Sequence, residues 1–429
     1  MIFIFISSLL IRIFSIFWIS ASLSGDAKVY DSLAKSIIGW GGLSVQMLKN
    51  FPLKDHPVYP LFISANYYLF GESLTPVWIM QAILGSFLCI LIYLITKEIF
   101  DRRIALLAGL ATALYPVFIK LSIMMLSEGL FVFIFTFSFF LAVRYLKTLK
   151  LHYLIASSVM LGITALTRSV VILFPFLLSG YIFYRDRNRL AFRKNFTHQG
   201  LFILVFIGTV SLWSIRNYHV TGGQIVPVTE APDRGLYNSF CPYKGKIFGI
   251  RPDNDPVMVE ARSIQSLGER RKFFVSKTTE FIKNNPVKVI KLEFLKFLYL
   301  WSPFDWEILG NGYARYNFGF VFLLPFFIYG IFNIIYSKKA EYFILLLPII
   351  YFQVIHLIYF ALPRFRIGFE PVLIIISSLG ILRLFDKSKN KKIFVTSTFL
   401  FLLTNIVFFL YSSQVKGFFR DACRLAGIW

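Results

Sequence analysis

Apolar residues in this chain gather into long unbroken runs separated by short polar stretches, rather than alternating with polar ones along a half-exposed face. A helix needs about 20 apolar residues to cross a bilayer. Runs near that size are Ile2–Ala21, Pro76–Thr96, Ile104–Ile119, Leu130–Val143, Leu151–Leu166 and Val170–Tyr184 in the first half. Leu201–Ile215, Phe318–Tyr336, Tyr342–Phe360, Ile367–Leu382 and Ile393–Tyr411 follow. Several are short and are expected to extend by a few residues at each end. The pattern predicts an all-α polytopic membrane protein of about 11 transmembrane helices, with outer-face loops and juxtamembrane helices.

The polar intervals divide the chain into three parts: 1–215 with a first outer loop at 22–75, a long segment at 216–317, and 318–429. Pro57–Phe70 is apolar but short and carries Pro60 and Asn66, so a helix lying at the outer interface is expected there. In the long segment, turn-rich sequence (Thr221-Gly222-Gly223 and Ala231-Pro232-Asp233-Arg234-Gly235) precedes a helical stretch over Pro256–Asn284. An amphipathic helix, Pro286–Trp301, follows with Lys288, Lys291 and Lys296 among apolar residues, and is expected along the membrane surface.

Composition agrees with the pattern. Of 429 residues, 57% are hydrophobic and only 16% charged, which excludes an ordinary soluble protein. The net charge of +23 implies no nucleic-acid partner, because the basic residues fall in short loops. They cluster at Lys97, Arg102 and Arg103; at Arg144, Lys147 and Lys150; at Arg185–Lys194; at Lys338 and Lys339; and at Arg383–Lys392. With the spans above, every cluster falls on one side, the cytoplasm by the positive-inside rule. The N-terminus is then inside and the C-terminus outside, in a cytoplasmic membrane rich in anionic lipid. Spanning Pro57–Phe70 would invert every later loop. Cys89, Cys241 and Cys423 have no metal-binding spacing, and a Cys241–Cys423 disulfide is left open.

This orientation brings several ionisable residues to the outer side: Asp26, Glu128, Arg168, Arg216, His356, Arg364 and Arg366. Charge near membrane depth is costly and tends to line a cavity. Each also has a bland reading. Asp26 is a candidate N-cap for a helix beginning at Ala27, and Glu128 for one beginning at Gly129. Arg168 and Arg216 sit where arginines snorkel to headgroups, and His356 suits a hydrogen-bonded core position. Arg364 and Arg366 break the positive-inside pattern and so suggest an anionic partner. Guanidinium groups bind phosphate through paired charge-assisted hydrogen bonds, and a carboxylate facing such a site can take a proton from an attacking hydroxyl. No nucleotide-binding loop accompanies them, which points to an anion delivered from within the membrane.

The order of short motifs resembles a known family. Gly25-Asp26-x-x-x-Tyr30 followed by Pro57-Val58-Tyr59-Pro60-Leu61 is similar to the first outer loop of membrane glycosyltransferases of GT-C architecture. The closer resemblance is to the family 39-like bacterial branch that includes relatives of protein O-mannosyltransferases and of lipid A aminoarabinose transferase. Leu126-Ser127-Glu128, Gly162 to Arg168, Trp213-Ser-Ile-Arg216-Asn217, and Pro363-Arg364-Phe365-Arg366 with Pro371 resemble its later motifs, in order over nearly the whole chain. The resemblance implies inverting transfer of a sugar from a polyprenyl phosphate to a lipid, glycan or protein acceptor. Asp26 would be the general base. Tyr30, His56, Tyr59, Glu128, Arg168, Arg216, Arg364 and Arg366 would bind substrate. No cofactor or metal is expected, and Glu128 and His356 are the residues to watch should one appear. Ala27 follows Asp26 where relatives often pair two acids, and His56 stands where an arginine is usual. The competing readings are a transporter or flippase of lipid-linked glycans, which should show repeat symmetry, and a polymerase of such glycans.

Overall fold

The computed structural model describes residues 1–18, 23, 25–229, 232–241, 254–305 and 315–411. Cys423, and with it the possible pairing to Cys241, lies outside the described residues. The first half comprises α1 (Ile2–Trp18), α2 (Asp26–Gly39), α3 (Val45–Asn50), α4 (Val58–Phe70), α5 (Leu74–Ile99), α6 (Arg102–Leu114), α7 (Pro116–Ile123), α8 (Ser127–Thr148), α9 (Leu151–Thr167), α10 (Phe174–Asp186) and α11 (Phe192–Val220). The long polar segment forms α12 (Pro232–Phe240), α13 (Pro256–Ser263), α14 (Leu267–Asn284) and α15 (Pro286–Leu300). The chain then continues as α16 (Phe318–Ser337), α17 (Leu346–Ile358), α18 (Glu370–Lys387) and α19 (Lys391–Leu410). Short 3-10 turns occur at Ser169–Val171, Ala340–Leu345 and Pro363–Gly368. Strand structure among the described residues is a two-residue antiparallel ladder, β1 (Phe304–Asp305) with β2 (Arg315–Tyr316), pairing Phe304 with Tyr316.

Each apolar run is mainly helical over its described residues. Among the described residues, seven helices are long and apolar enough to cross a membrane, and eight if α6 and α7 make one bent span. The other runs are α1, α9 and α18, of which α1 and α9 are shorter apolar helices. The 47° bend between α6 and α7 falls at Tyr115-Pro116. Proline has no N–H to continue the helix and pushes the preceding residue into extended conformation, which Tyr115 adopts (ψ 117°). The α4 helix has 13 residues, too few to span.

The core is a bundle around α8, buried along most of its length. Small polar groups hold its neighbours. Ser138 on α8 donates to the Ser157 carbonyl on α9 (2.9 Å), and Ser158 donates to the Phe202 carbonyl on α11 (2.5 Å). Between α16 and α18 the backbones nearly touch: a Cβ on Gly330 would lie 2.2 Å from the Ile376 carbonyl oxygen. The α19 helix buries only Asn405 among its residues and packs at the periphery.

Two expectations for the long polar segment change. The helix expected over Pro256–Asn284 breaks at Ile264–Ser266, because Ser266 accepts from the Glu269 N–H and caps a new helix, α14. The α15 helix forms as expected, but Lys296 does not lie at the membrane surface. It is fully buried, donating to Glu293 and to the Leu357 carbonyl, both at 2.7 Å.

Candidate active site

Four chain ends meet on one side of the bundle. The start of α2 brings Asp26, the start of α8 brings Ser127 and Glu128, the end of α9 brings Arg168, and the Pro363–Gly368 turn brings Arg364 and Phe365. The start of α8 and the end of α9 lie together because these two helices are consecutive and antiparallel.

Asp26 does not cap its helix. The N-cap is Gly25, whose φ of +52° suits glycine, and no side chain caps the α2 terminus. The Asp26 carboxylate is 55% exposed and lies 3.4 Å from Nη2 of Arg364. Glu128 sits in the first turn of α8 rather than at its cap. Its side chain is 5% exposed, with Oε1 2.8 Å from Nη1 of Arg168 and 3.8 Å from Nε of Arg364. Arg364 therefore stands between two carboxylates. Both guanidinium groups lie over the Phe365 ring, at 5.8 Å for Arg168 and 5.3 Å for Arg364, an arrangement that fixes their planes. Ser127 Oγ accepts from Arg168 (3.2 Å) and from the Tyr30 hydroxyl (3.3 Å).

Tyr30 lies one helical turn after Asp26 and packs edge-on against Tyr59, with centroids 4.9 Å apart. Burial raises its phenol pKa, so it acts as a neutral hydrogen-bonding group. Tyr59 is fully buried and donates to Gln81 (2.7 Å), forming the floor beneath Tyr30. His56 lies behind Arg168. Its Nε2 accepts the Ser169 backbone N–H (2.9 Å), which leaves Nδ1 to carry the proton. Burial, then the Arg168 charge, pushes the His56 pKa down to about 3, so the ring is neutral at working pH.

The remaining arginines do other work. Arg216 donates from Nε to the Leu48 carbonyl (2.5 Å), from Nη2 to the Phe51 carbonyl and from Nη1 to Asn217 (2.9 Å). It thereby ties α11 to the end of α3. Arg366 is fully buried, donates to the Leu300 and Ser302 carbonyls (3.1 and 2.6 Å) and sits 3.8 Å over Phe320. His356 bonds the Phe360 carbonyl (2.8 Å) and stacks on Phe365. Among the described residues, no group of three His, Cys, Asp or Glu side chains could hold a metal ion.

Sequence reading did not single out Ser127 or Phe365 as site residues, although both lie inside motifs it quoted. Ser127 precedes Glu128 and Phe365 separates two arginines; the adjacency was the available signal. Asp31, which accepts from Tyr67 (2.6 Å) and pairs with Lys35 (3.0 Å), joins α2 to α4 at the edge of the site.

Comparison with known proteins agrees with this architecture. Residues 54–213 match the family described as dolichyl-phosphate-mannose-protein mannosyltransferase. The fold is similar to ArnT from Cupriavidus metallidurans bound to undecaprenyl phosphate, at 12% identity and a TM-score of 0.56, over 98% of this chain and 72% of that one. It is also similar to the Archaeoglobus fulgidus oligosaccharyltransferase in the apo form, at 17% identity and a TM-score of 0.55, over 95% of this chain. The archaeal oligosaccharyltransferase AglB from Archaeoglobus fulgidus, in complex with an inhibitory peptide and a dolichol-phosphate, matches at 15% identity and a TM-score of 0.51, again over 95% of this chain. This chain spans about half the length of that oligosaccharyltransferase (54%). No curated protein sequence matches it. The expected GT-C architecture and multi-pass membrane character are borne out.

Proposed function

We propose that this GT-C membrane chain is an inverting glycosyltransferase. In this reading it moves a sugar from a polyprenyl-phosphate donor to an acceptor hydroxyl at the outer face of the cytoplasmic membrane. The observation that carries the reading is Arg364, poised between the exposed carboxylate of Asp26 and the buried Glu128–Arg168 pair. The family match over residues 54–213 and the lipid-phosphate complexes of ArnT and AglB support it.

The acceptor oxygen attacks the anomeric carbon while the bond from that carbon to the phosphate oxygen breaks, inverting the centre. Asp26 takes the hydroxyl proton as the new bond forms, which prevents a high-energy oxonium product. The departing phosphate keeps the electron pair, and the guanidinium groups of Arg364 and Arg168 stabilise its growing charge. Glu128 is the fixed counter-charge that holds Arg168 in place. Tyr30, backed by the buried Tyr59, supplies an aromatic surface beside Asp26 for the sugar, and His56 supports Arg168 from behind through Ser169. Arg216 and Arg366 act on backbone carbonyls and shape the scaffold. With the growing phosphate charge met by the guanidinium groups of Arg364 and Arg168, transfer is expected to proceed without metal and to survive chelation.

The test is mass spectrometry of envelope lipids, glycans and proteins from cells with and without the chain. Loss of one glycan substituent, restored by wild type and not by Asp26→Asn, is the expected result. An unchanged envelope, with lipid-linked sugars trapped on one leaflet, would favour a flippase instead. Sidedness is tested separately: Gly268→Cys in a background lacking native thiols should label with an impermeant reagent in intact cells.

A further inference from the structure

Arg364 sits on irregular backbone between the end of α17 and the start of α18. Such backbone needs partners for its carbonyl groups wherever water is scarce. The partners come mainly from outside the turn. Lys296 on α15 donates to the Leu357 carbonyl (2.7 Å), Ser239 on α12 donates to the Tyr359 carbonyl (2.5 Å), and His356 bonds the Phe360 carbonyl (2.8 Å). Beyond Arg364, Arg366 reaches back to the Leu300 and Ser302 carbonyls at the end of α15.

Lys296 stands out in this set. Its side chain is fully buried, paired with Glu293 (2.7 Å) and 4.2 Å from the Phe240 ring. A buried ammonium is costly, and an apolar residue of similar length would fill the volume without that penalty. Stability alone therefore does not account for a lysine here. Its chain position does: it bonds the carbonyl immediately before the strap, one helical turn ahead of the α15 terminus that Arg366 holds.

Resting on the reading of Arg364 as a ligand of the donor phosphate, we infer that Lys296 is a positioning residue for the transfer. Acting through the Leu357 carbonyl, it fixes the strap so that Arg364 faces Asp26 and Glu128. The outer helical segment thereby sets the geometry of the phosphate site, although none of its described residues forms a hydrogen bond or ion pair with Asp26, Glu128, Arg168 or Arg364 in the contacts above.

The experiment is a double-mutant cycle on the full-length protein in lipid nanodiscs, with amide hydrogen exchange on the same samples. Glu293→Leu/Lys296→Met removes both charges, so no unpaired ion is left buried if the single variant fails to fold. In the wild-type background this pair is expected to lower kcat/KM for the polyprenyl-phosphate donor at least about tenfold, as small misplacements of an active-site group do. In an Arg364→Ala background it should change kcat/KM little further, because the effect passes through that residue. Amides of residues 357–366 should exchange at least about tenfold faster. Equal losses in both backgrounds would mean a merely structural role and overturn the inference, as would unchanged exchange in the strap. Normal transfer by Arg364→Ala alone would overturn the phosphate-site reading itself, and the exchange result would still report on the clamp.

Discussion

The two ends of the bundle handle charge in opposite ways. At the end of α10 farthest from Arg168, the Asp186 carboxylate is fully buried, and Arg185 and Arg189 approach the same oxygen at 3.4 and 3.1 Å. Both arginines also donate to the Leu146 carbonyl, at 2.9 and 2.6 Å. That cluster is closed: its cations are committed to the last turn of α8 and to one acid. At the other end, Asp26 is more than half exposed, and Arg364 lies at long distances from both its acids, 3.4 and 3.8 Å. The same residue types make a lock in one place and an open, adjustable site in the other. The difference lies in whether backbone carbonyls complete the arginine's hydrogen bonding. By that criterion Arg216 and Arg366 belong with the lock, and Arg168 and Arg364 with the site.

The sharpest way to break this contrast is at Asp26. Asp26→Asn preserves shape but removes the base, and general-base catalysis contributes about 10²–10⁴ in rate. Folded protein that binds donor yet transfers at least about a hundredfold more slowly is expected. Because Gly25 rather than Asp26 occupies the N-cap, lost activity would not trace to a lost cap. Normal turnover by purified Asp26→Asn would remove this residue from the mechanism.

Arginine-to-lysine changes sharpen the division among the four cations. Lysine keeps the charge but loses the planar fork. Arg364→Lys should lower kcat/KM at least about tenfold, since a hydrogen bond to a charged group is worth about 1.5–3 kcal/mol. Arg216→Lys should mainly lower thermal stability while leaving transfer per folded molecule nearly intact. The reverse pattern would show that the carbonyl criterion sorts these residues wrongly.

At the closed end, Asp186→Asn leaves two arginines short of their acid. A stability loss of about 1.5–3 kcal/mol is expected, read as a lower melting temperature with unchanged kcat/KM. Reduced transfer at full folding would mean the two ends are coupled.

The last effect concerns pH. His56 has a folded pKa of about 3 against an ordinary 6.5, so the folded state takes up its proton far less readily than the unfolded chain. The contribution of this neutral ring is complete above about pH 6.5 and is lost as pH falls toward 3. His56→Gln should therefore be less sensitive to acid than wild type over that window. Parallel acid-unfolding curves for the two proteins would remove the argument.

The apolar runs settled membrane class and helix positions, because a bilayer imposes a length and polarity requirement that a single chain must satisfy locally. The common side of Asp26, Glu128, Arg168 and Arg364 was legible for the same reason. Which arginines face a ligand was not. Arg364 and Arg366 are two residues apart in one motif, and only the turn Pro363–Gly368 points one toward Asp26 and the other into the carbonyls of Leu300 and Ser302. Likewise the spacing of Lys288, Lys291 and Lys296 suggested a surface stripe, whereas packing of α15 against the end of α17 buried the last of them. Partner choice by a long charged side chain depends on backbone groups far away in sequence, 61 positions for Lys296 and 168 for Arg216, or on the next helix in space. No local pattern encodes those groups, so they became visible only once the helices were assembled.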